Sequence, residues 1–124
     1  MQYKELTGKI IGCAYKVYSI MGFGFLESVY ENCLMIELEK EGLNAERQRA
    51  INVYYKDILV GEFKADIVVE DTVIVELKSV RQMTSAHEVQ LVNYLVATNM
   101  PVGLIVNFAE NKVQVKRKLR ELPN

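Results

Sequence analysis

The stretch Gly61-Glu62-Phe63-Lys64-Ala65-Asp66-Ile67-Val68-Val69-Glu70-Asp71-Thr72-Val73-Ile74-Val75-Glu76-Leu77-Lys78 decides how this chain is read. Two runs of β-branched and apolar residues flank a short polar segment, the pattern of an antiparallel hairpin. Side chains alternate faces along a strand. Phe63, Ala65, Ile67 and Val69 are therefore expected on one face of the first run, and Val73, Val75 and Leu77 on one face of the second. A three-residue turn, Glu70-Asp71-Thr72, brings both apolar sets to the same side. A two-residue turn would set Ile67 against Glu76 and drive charge into the core, because a one-residue slip inverts every side chain. The register predicts Asp66 opposite Glu76 and Lys64 opposite Lys78, with Asp66, Glu76 and Lys78 on one face.

Directly opposed residues have Cβ atoms about 5 Å apart. Two ionised carboxylates at that distance repel, and a bound cation relieves the repulsion. Two carboxylates and an ammonium on one sheet face can thus hold a divalent metal and orient a water. The competing reading is solvated decoration of an open sheet face, with Lys78 a salt-bridge partner. Helices are expected before and after the hairpin, so both of its faces can be covered.

The 124 residues suit one domain, spanning 1–124, with enough chain to bury a core without staples. Apolar residues make up 50% and charged residues 25%, an ordinary globular balance. Fifteen basic and 16 acidic residues leave a formal charge of -1. Attraction of the whole molecule to nucleic acid is therefore excluded, and phosphate binding must come from a local patch or a metal. Cys13 and Cys33 form no CxxC motif and His87 is the sole histidine, which argues against structural zinc. Both cysteines lie among apolar residues, as buried free thiols of a reducing compartment do. No apolar run approaches the ~20 residues of a membrane span, and no signal-peptide stretch opens the chain, so a cytoplasmic protein without a membrane partner is expected.

Working outward, Leu6, Ile10, Ala14, Val17 and Met21 predict a helix over 5–21, broken by Gly22-Phe23-Gly24. A second helix is expected from about 26 to 41, stopped by Gly42. Strands follow at 46–55, 58–69 and 73–79, with a turn at Tyr55-Lys56-Asp57; one more strand break in this first half is left open. A helix over about 84–98 precedes Pro101, and 102–108 and 113–119 read as closing strands. The order ααβββαββ predicts an α+β fold, a mixed central sheet flanked by helices.

Three further groups bear polar chemistry. Glu27, in the first turn of the second helix, either favours the helix N-terminus electrostatically or reaches the acid cluster as another ligand. His87, Gln90 and Tyr94 share one face of the third helix, either solvated or lining a cleft where Gln90 and Tyr94 orient a water or contact a phosphate. Lys112, Lys116, Arg117, Lys118 and Arg120 form either a solvated edge strand or a local phosphate patch.

Gly24-x-x-Glu27-x-x-Tyr30 resembles the signature of the GxxExxY protein family, which is placed in the PD-(D/E)xK nuclease-like superfamily. The resemblance continues through Lys64-Ala65-Asp66, Val75-Glu76-Leu77-Lys78, His87-x-x-Gln90-x-x-x-Tyr94 and Gly103-Leu104-Ile105-Val106-Asn107-Phe108, nearly the whole chain. It implies a restriction-endonuclease-like core. It also implies that Asp66 and Glu76 are metal-binding acids, with the Leu77 carbonyl as a further ligand and Glu27 completing the cluster. Lys78 resembles the lysine that positions the attacking water, and Gln90 and Tyr94 resemble the helix residues that follow the motif. Ala65 stands where a proline often precedes the first acid.

The implied activity is hydrolysis of nucleic-acid phosphodiester bonds, DNA rather than RNA, with Mg²⁺ or Mn²⁺ as cofactor. Asp66, Glu76, Lys78 and Gln90 would form the catalytic group, with Tyr94, His87, Lys116 and Lys118 against the substrate. The alternative is a catalytically silent nuclease-fold module that binds nucleic acid or protein, alone or in a larger complex. Pairing into a homodimer would extend the surface offered to a duplex.

Overall fold

A computed structural model describes residues 3–120. Its elements are α1 (Lys4–Met21), α2 (Glu27–Lys40), β1 (Ala45–Tyr55), β2 (Ile58–Val69), β3 (Val73–Lys78), α3 (Ser85–Thr98), β4 (Val102–Phe108) and β5 (Val113–Leu119). This is the expected order ααβββαββ, and β1 runs through without the extra break. The five strands lie side by side in sequence order, β1-β2-β3-β4-β5. Only β3 and β4 are parallel, and α3 is their crossover. The fold is thus a mixed sheet with three helices, a restriction-endonuclease-like α+β arrangement.

Helix α1 buries Ile10, Cys13, Ala14 and Val17, and α2 buries Tyr30, Leu34 and Leu38, a stripe of threes and fours in each. Both stripes pack on one sheet face, against Ile67, Val69, Val73, Val75, Leu77, Leu104, Val106 and Phe108. Helix α3 covers the other face, where Leu91, Tyr94 and Leu95 meet Ile51, Ala65, Val68, Ile74 and Ile105. A Cβ at Gly103 would come within 2.7 Å of Leu91 Cδ1, so the bare glycine lets α3 lie close on β4. Cys13 is buried, Cys33 half-buried, and both are free thiols. Among the described residues no helix is long and apolar enough to cross a membrane.

The turn at 70–72 has the expected length. Val69 pairs with Val73 and Ile67 with Val75, and Glu70 and Asp71 take φ of 53° and 50°. Asp tolerates that left-handed region, and Glu70 is held there by the turn, its N–H donating to the Asn44 carbonyl at 2.8 Å.

The expected face of Phe63 and Ala65 is corrected by the structure. Ile67 and Val69 join the α1–α2 core, but Ala65 joins the α3 core and Phe63 lies against Tyr94, with ring centroids 5.5 Å apart. The alternation is interrupted at Asp66. In the β1–β2 register Arg47 pairs with Ile67 and Arg49 with Ala65, so Gln48 stands across from Asp66, and Gln48 has φ of 56°. The Gln48 amide meanwhile donates to Glu31 on α2 at 2.8 Å. A left-handed residue inside a strand adds local twist. Beyond it the β1–β2 ribbon turns its other side towards α3, and the strict period of two no longer describes it.

Candidate active site

At the point where β2 changes sides, two carboxylates replace the sheet ladder. The β2–β3 pairing runs from Val69↔Val73 to Ile67↔Val75, and the same register sets Asp66 opposite Glu76. There the Leu77 N–H donates to Asp66 Oδ2 at 2.8 Å, and the Asp66 N–H donates to Glu76 Oε2 at 3.2 Å. The strands separate just enough for each acid to take the other strand's backbone. Burial, then the Asp66 charge and its shared hydrogen bond, push the Glu76 carboxyl up to about 8, with Lys78 opposing. At neutral pH the pair therefore holds a proton that a cation can displace. Burial also raises the Tyr94 phenol, followed by the charges of Glu76 and Asp66. Tyr94 thus lies on the acid pair's side of the sheet.

The end of β3, where Lys78 is half-buried, is tied down by the α1–α2 loop and by β4. Ser79 Oγ donates to the Phe25 carbonyl at 3.0 Å. Asn107, fully buried and level with Lys78 in the parallel register, accepts from the Val80 N–H and donates to the Val80 carbonyl, both at 2.9 Å. Its amide also donates to Gln114 Oε1 at 2.9 Å. The loop carrying Phe25 is held by Tyr30, whose hydroxyl donates to the Gly22 carbonyl at 2.5 Å and accepts from the Phe25 N–H at 3.3 Å. Tyr30 itself stacks on Phe108, centroids 4.2 Å apart. Gly24, with φ of 114°, supplies a backbone conformation that other residues rarely adopt. The Gly24 and Tyr30 positions therefore shape the loop beside Lys78. Glu27 opens α2 at this end but is exposed, and among the described residues no three His, Cys, Asp or Glu side chains form a metal-holding group. The structure does not join Glu27 to Asp66 and Glu76.

A sequence model of the PD-(D/E)XK nuclease superfamily matches residues 4–118. The chain belongs to that superfamily. The PD-(D/E)XK assignment agrees with the mixed sheet, and the crystal structure of SSO0001 shares the fold with a TM-score of 0.60 at 21% identity. That match covers 98% of this chain and 61% of the SSO0001 chain, so this chain spans less than two thirds of its neighbour's length. No curated protein matches the sequence.

The donor set of this PD-(D/E)XK chain fits a hard divalent cation. Asp66 and Glu76 are adjacent carboxylates, oxygen donors of the kind such an ion takes. The remaining expected residues divide. Gln90 and Tyr94 line one cleft of about 980 Å³ between α3 and the β1–β2 ribbon, together with Asn52, Phe63 and Asn93. His87 closes a capping box at the start of α3. Its Nδ1 accepts from the Thr84 N–H at 3.4 Å, and its own N–H meets the Thr84 side chain. Lys118 is bound to Glu88 at 2.6 Å and holds that carboxyl below its ordinary value. Lys116 is exposed on the same face of β5. Asn107 was not singled out among the candidate site residues, although a lone polar residue in the apolar run Val102–Phe108 is a legible sign of a buried polar contact.

Proposed function

We propose that this chain is a Mg²⁺- or Mn²⁺-dependent nuclease of the GxxExxY type, a single domain hydrolysing phosphodiester bonds, DNA in preference to RNA. The observation that carries the reading is the mutual backbone clasp of Asp66 and Glu76, with Lys78 two residues further on. Asp66, Glu76 and the Leu77 carbonyl would hold the ion, with Glu27 as an added ligand after movement of the exposed α2 start. The bound ion supplies a lowered water pKa and charge compensation at the phosphoryl oxygens. Lys78 orients the attacking water, and its fixed strand end limits the positions its ammonium can reach. Gln90, with Tyr94 beside the acid pair, contacts the phosphodiester. Lys116 and Lys118 offer charge to the flanking backbone, Lys118 only by exchanging Glu88 for phosphate.

The test is cleavage of single-stranded, duplex and branched DNA and RNA in Mg²⁺ or Mn²⁺, with Asp66→Ala and Lys78→Ala beside the wild type. Each variant is expected to lose at least about a hundredfold in rate. Variants as active as the wild type would sink the assignment. Salt-sensitive binding that persists in EDTA, with no cleavage of any substrate, would establish the silent binding module instead.

A further inference from the structure

The cleft beside the acid pair carries features that phosphodiester chemistry leaves unused. Its walls come from α3 on one side and from β1 and β2 on the other. Three aromatic rings, Tyr54, Phe63 and Tyr94, and three side-chain amides, Asn52, Gln90 and Asn93, line its space of about 980 Å³. No charged side chain is among the lining residues, so apart from the contact proposed for Gln90 and Tyr94 the cleft offers a phosphate no countercharge. We propose that it receives an unpaired nucleobase of the strand whose backbone lies at Asp66 and Glu76. This deepens the nuclease reading and rests on it.

The chemistry matches a base on both counts. A base has two π faces and a polar edge of donors and acceptors. Phe63 and Tyr54 are 44% and 60% exposed, so their rings have free surface to offer. Each amide supplies both a donor and an acceptor to a base edge. An apolar peptide side chain would instead cover the three amides without partners, which costs free energy.

Position links the cleft to the acids. Tyr94 lines the cleft and packs in the same cluster as Ala65 and Val68, on either side of Asp66. The strand interruption at Asp66 is what brings Phe63 round to this side. Gly61 then leaves room for the Phe63 ring, since a Cβ there would stand 3.1 Å from its Cε2. Bases stacked inside a duplex cannot enter such a cleft without leaving the stack. The inferred substrate is therefore a single strand or a locally unpaired junction.

The experiment measures binding in EDTA, where turnover is absent. Labelled single-stranded oligodeoxynucleotide, an abasic backbone of the same length and the matching duplex are titrated against the wild type, Phe63→Ala and Asn93→Leu. The base-bearing strand is expected to bind about tenfold tighter than the abasic one, and each variant to lose about tenfold on that strand alone. Both substituted residues are exposed, so the fold should survive, and circular dichroism checks it. Equal affinity for base-bearing and abasic strands, wild-type affinity in both variants, or no binding to any of the three overturns the proposal. Competition by a blocked apolar peptide but not by a mononucleotide overturns it in favour of a protein partner. A chain that discriminates the base yet never cleaves with metal keeps the base site and removes the nuclease reading.

Discussion

Asp66 and Glu76 each hold the backbone of the other's strand, Asp66 through the Leu77 N–H and Glu76 through the Asp66 N–H. The pair is at once a structural clasp and an electrostatic load. A carboxyl retained in its neutral form by burial and by a charged neighbour destabilises the fold when it ionises.

The sign of the pH dependence follows. The Glu76 carboxyl is pushed up to about 8 in the folded chain and returns to its ordinary value of 4.5 when unfolded. Between these values the folded state binds more protons, so stability falls as pH rises from 4.5 to 8 and levels beyond. The contribution is on the order of 5 kcal/mol at 1.36 kcal/mol per unit. Glu76→Gln, which imitates the protonated carboxyl, should flatten this slope and stabilise the metal-free protein at pH 8. Urea titrations across pH in EDTA measure both, and an unchanged slope in the variant would contradict the assignment.

A divalent cation should reverse the load. Saturating Mg²⁺ or Mn²⁺ is expected to stabilise the fold by about 2.7 kcal/mol at a hundredfold excess over Kd, and so to raise the melting temperature. The rise should be smaller at pH 6 than at pH 8, because the ion must displace the Glu76 proton. Asp66→Asn should abolish it. Calorimetric scans with and without metal decide the point, and an equal rise in the variant would place the ion elsewhere.

Asn107 should matter beyond its own strand. Asn107→Leu leaves both backbone groups of Val80 unpaired, a loss of roughly 2–4 kcal/mol. Gln114→Ala removes one amide bond at a half-buried position and should cost about 1 kcal/mol. Chemical denaturation ranks the two, and equal costs would refute the clamp.

Gly103→Ala should destabilise by about 1–3 kcal/mol, because the new methyl meets Leu91 at 2.7 Å and α3 must shift or repack. Thermal unfolding checks this, and a neutral outcome would show that the α3–β4 contact is loose.

Much of this was written in local patterns. Helical stripes in α1 and α2 and the apolar runs of β3 and β4 repeat at their own periods, so element order and the three-residue turn could be read directly. The opposition of Asp66 and Glu76 followed from the same arithmetic. The faces of Phe63 and Ala65 did not, because the left-handed Gln48 on another strand resets the period. Helical spacing groups His87 with Gln90 and Tyr94, but its capping box with Thr84 has little local signature, because a histidine is not the usual glutamate or glutamine three positions after the cap. The Lys118–Glu88 pair joins β5 to α3, a tertiary contact with no local signature. The aromatic–amide cleft exists only once the ribbon has turned towards α3.

The interruption at Gln48 and Asp66 also divides the sheet as a mechanical object. On one side lie β3, β4 and β5 with both helical layers pressed on them; on the other is a two-stranded ribbon reaching to Tyr55 and Ile58, both largely exposed. Ladder pairing joins β2 and β3 only from Val69 to Ile67, so beyond the Asp66–Glu76 clasp the ribbon is held by α3 through Ile51 and Ala65 rather than by the sheet, and its far end can open without unzipping the core. Amide protons of 53–55 and 58–61, at the exposed end of the ribbon, would then exchange ahead of those in 73–78 and 102–108. The acid pair stands at the boundary of the two units, so any movement of the ribbon is felt first at the candidate site.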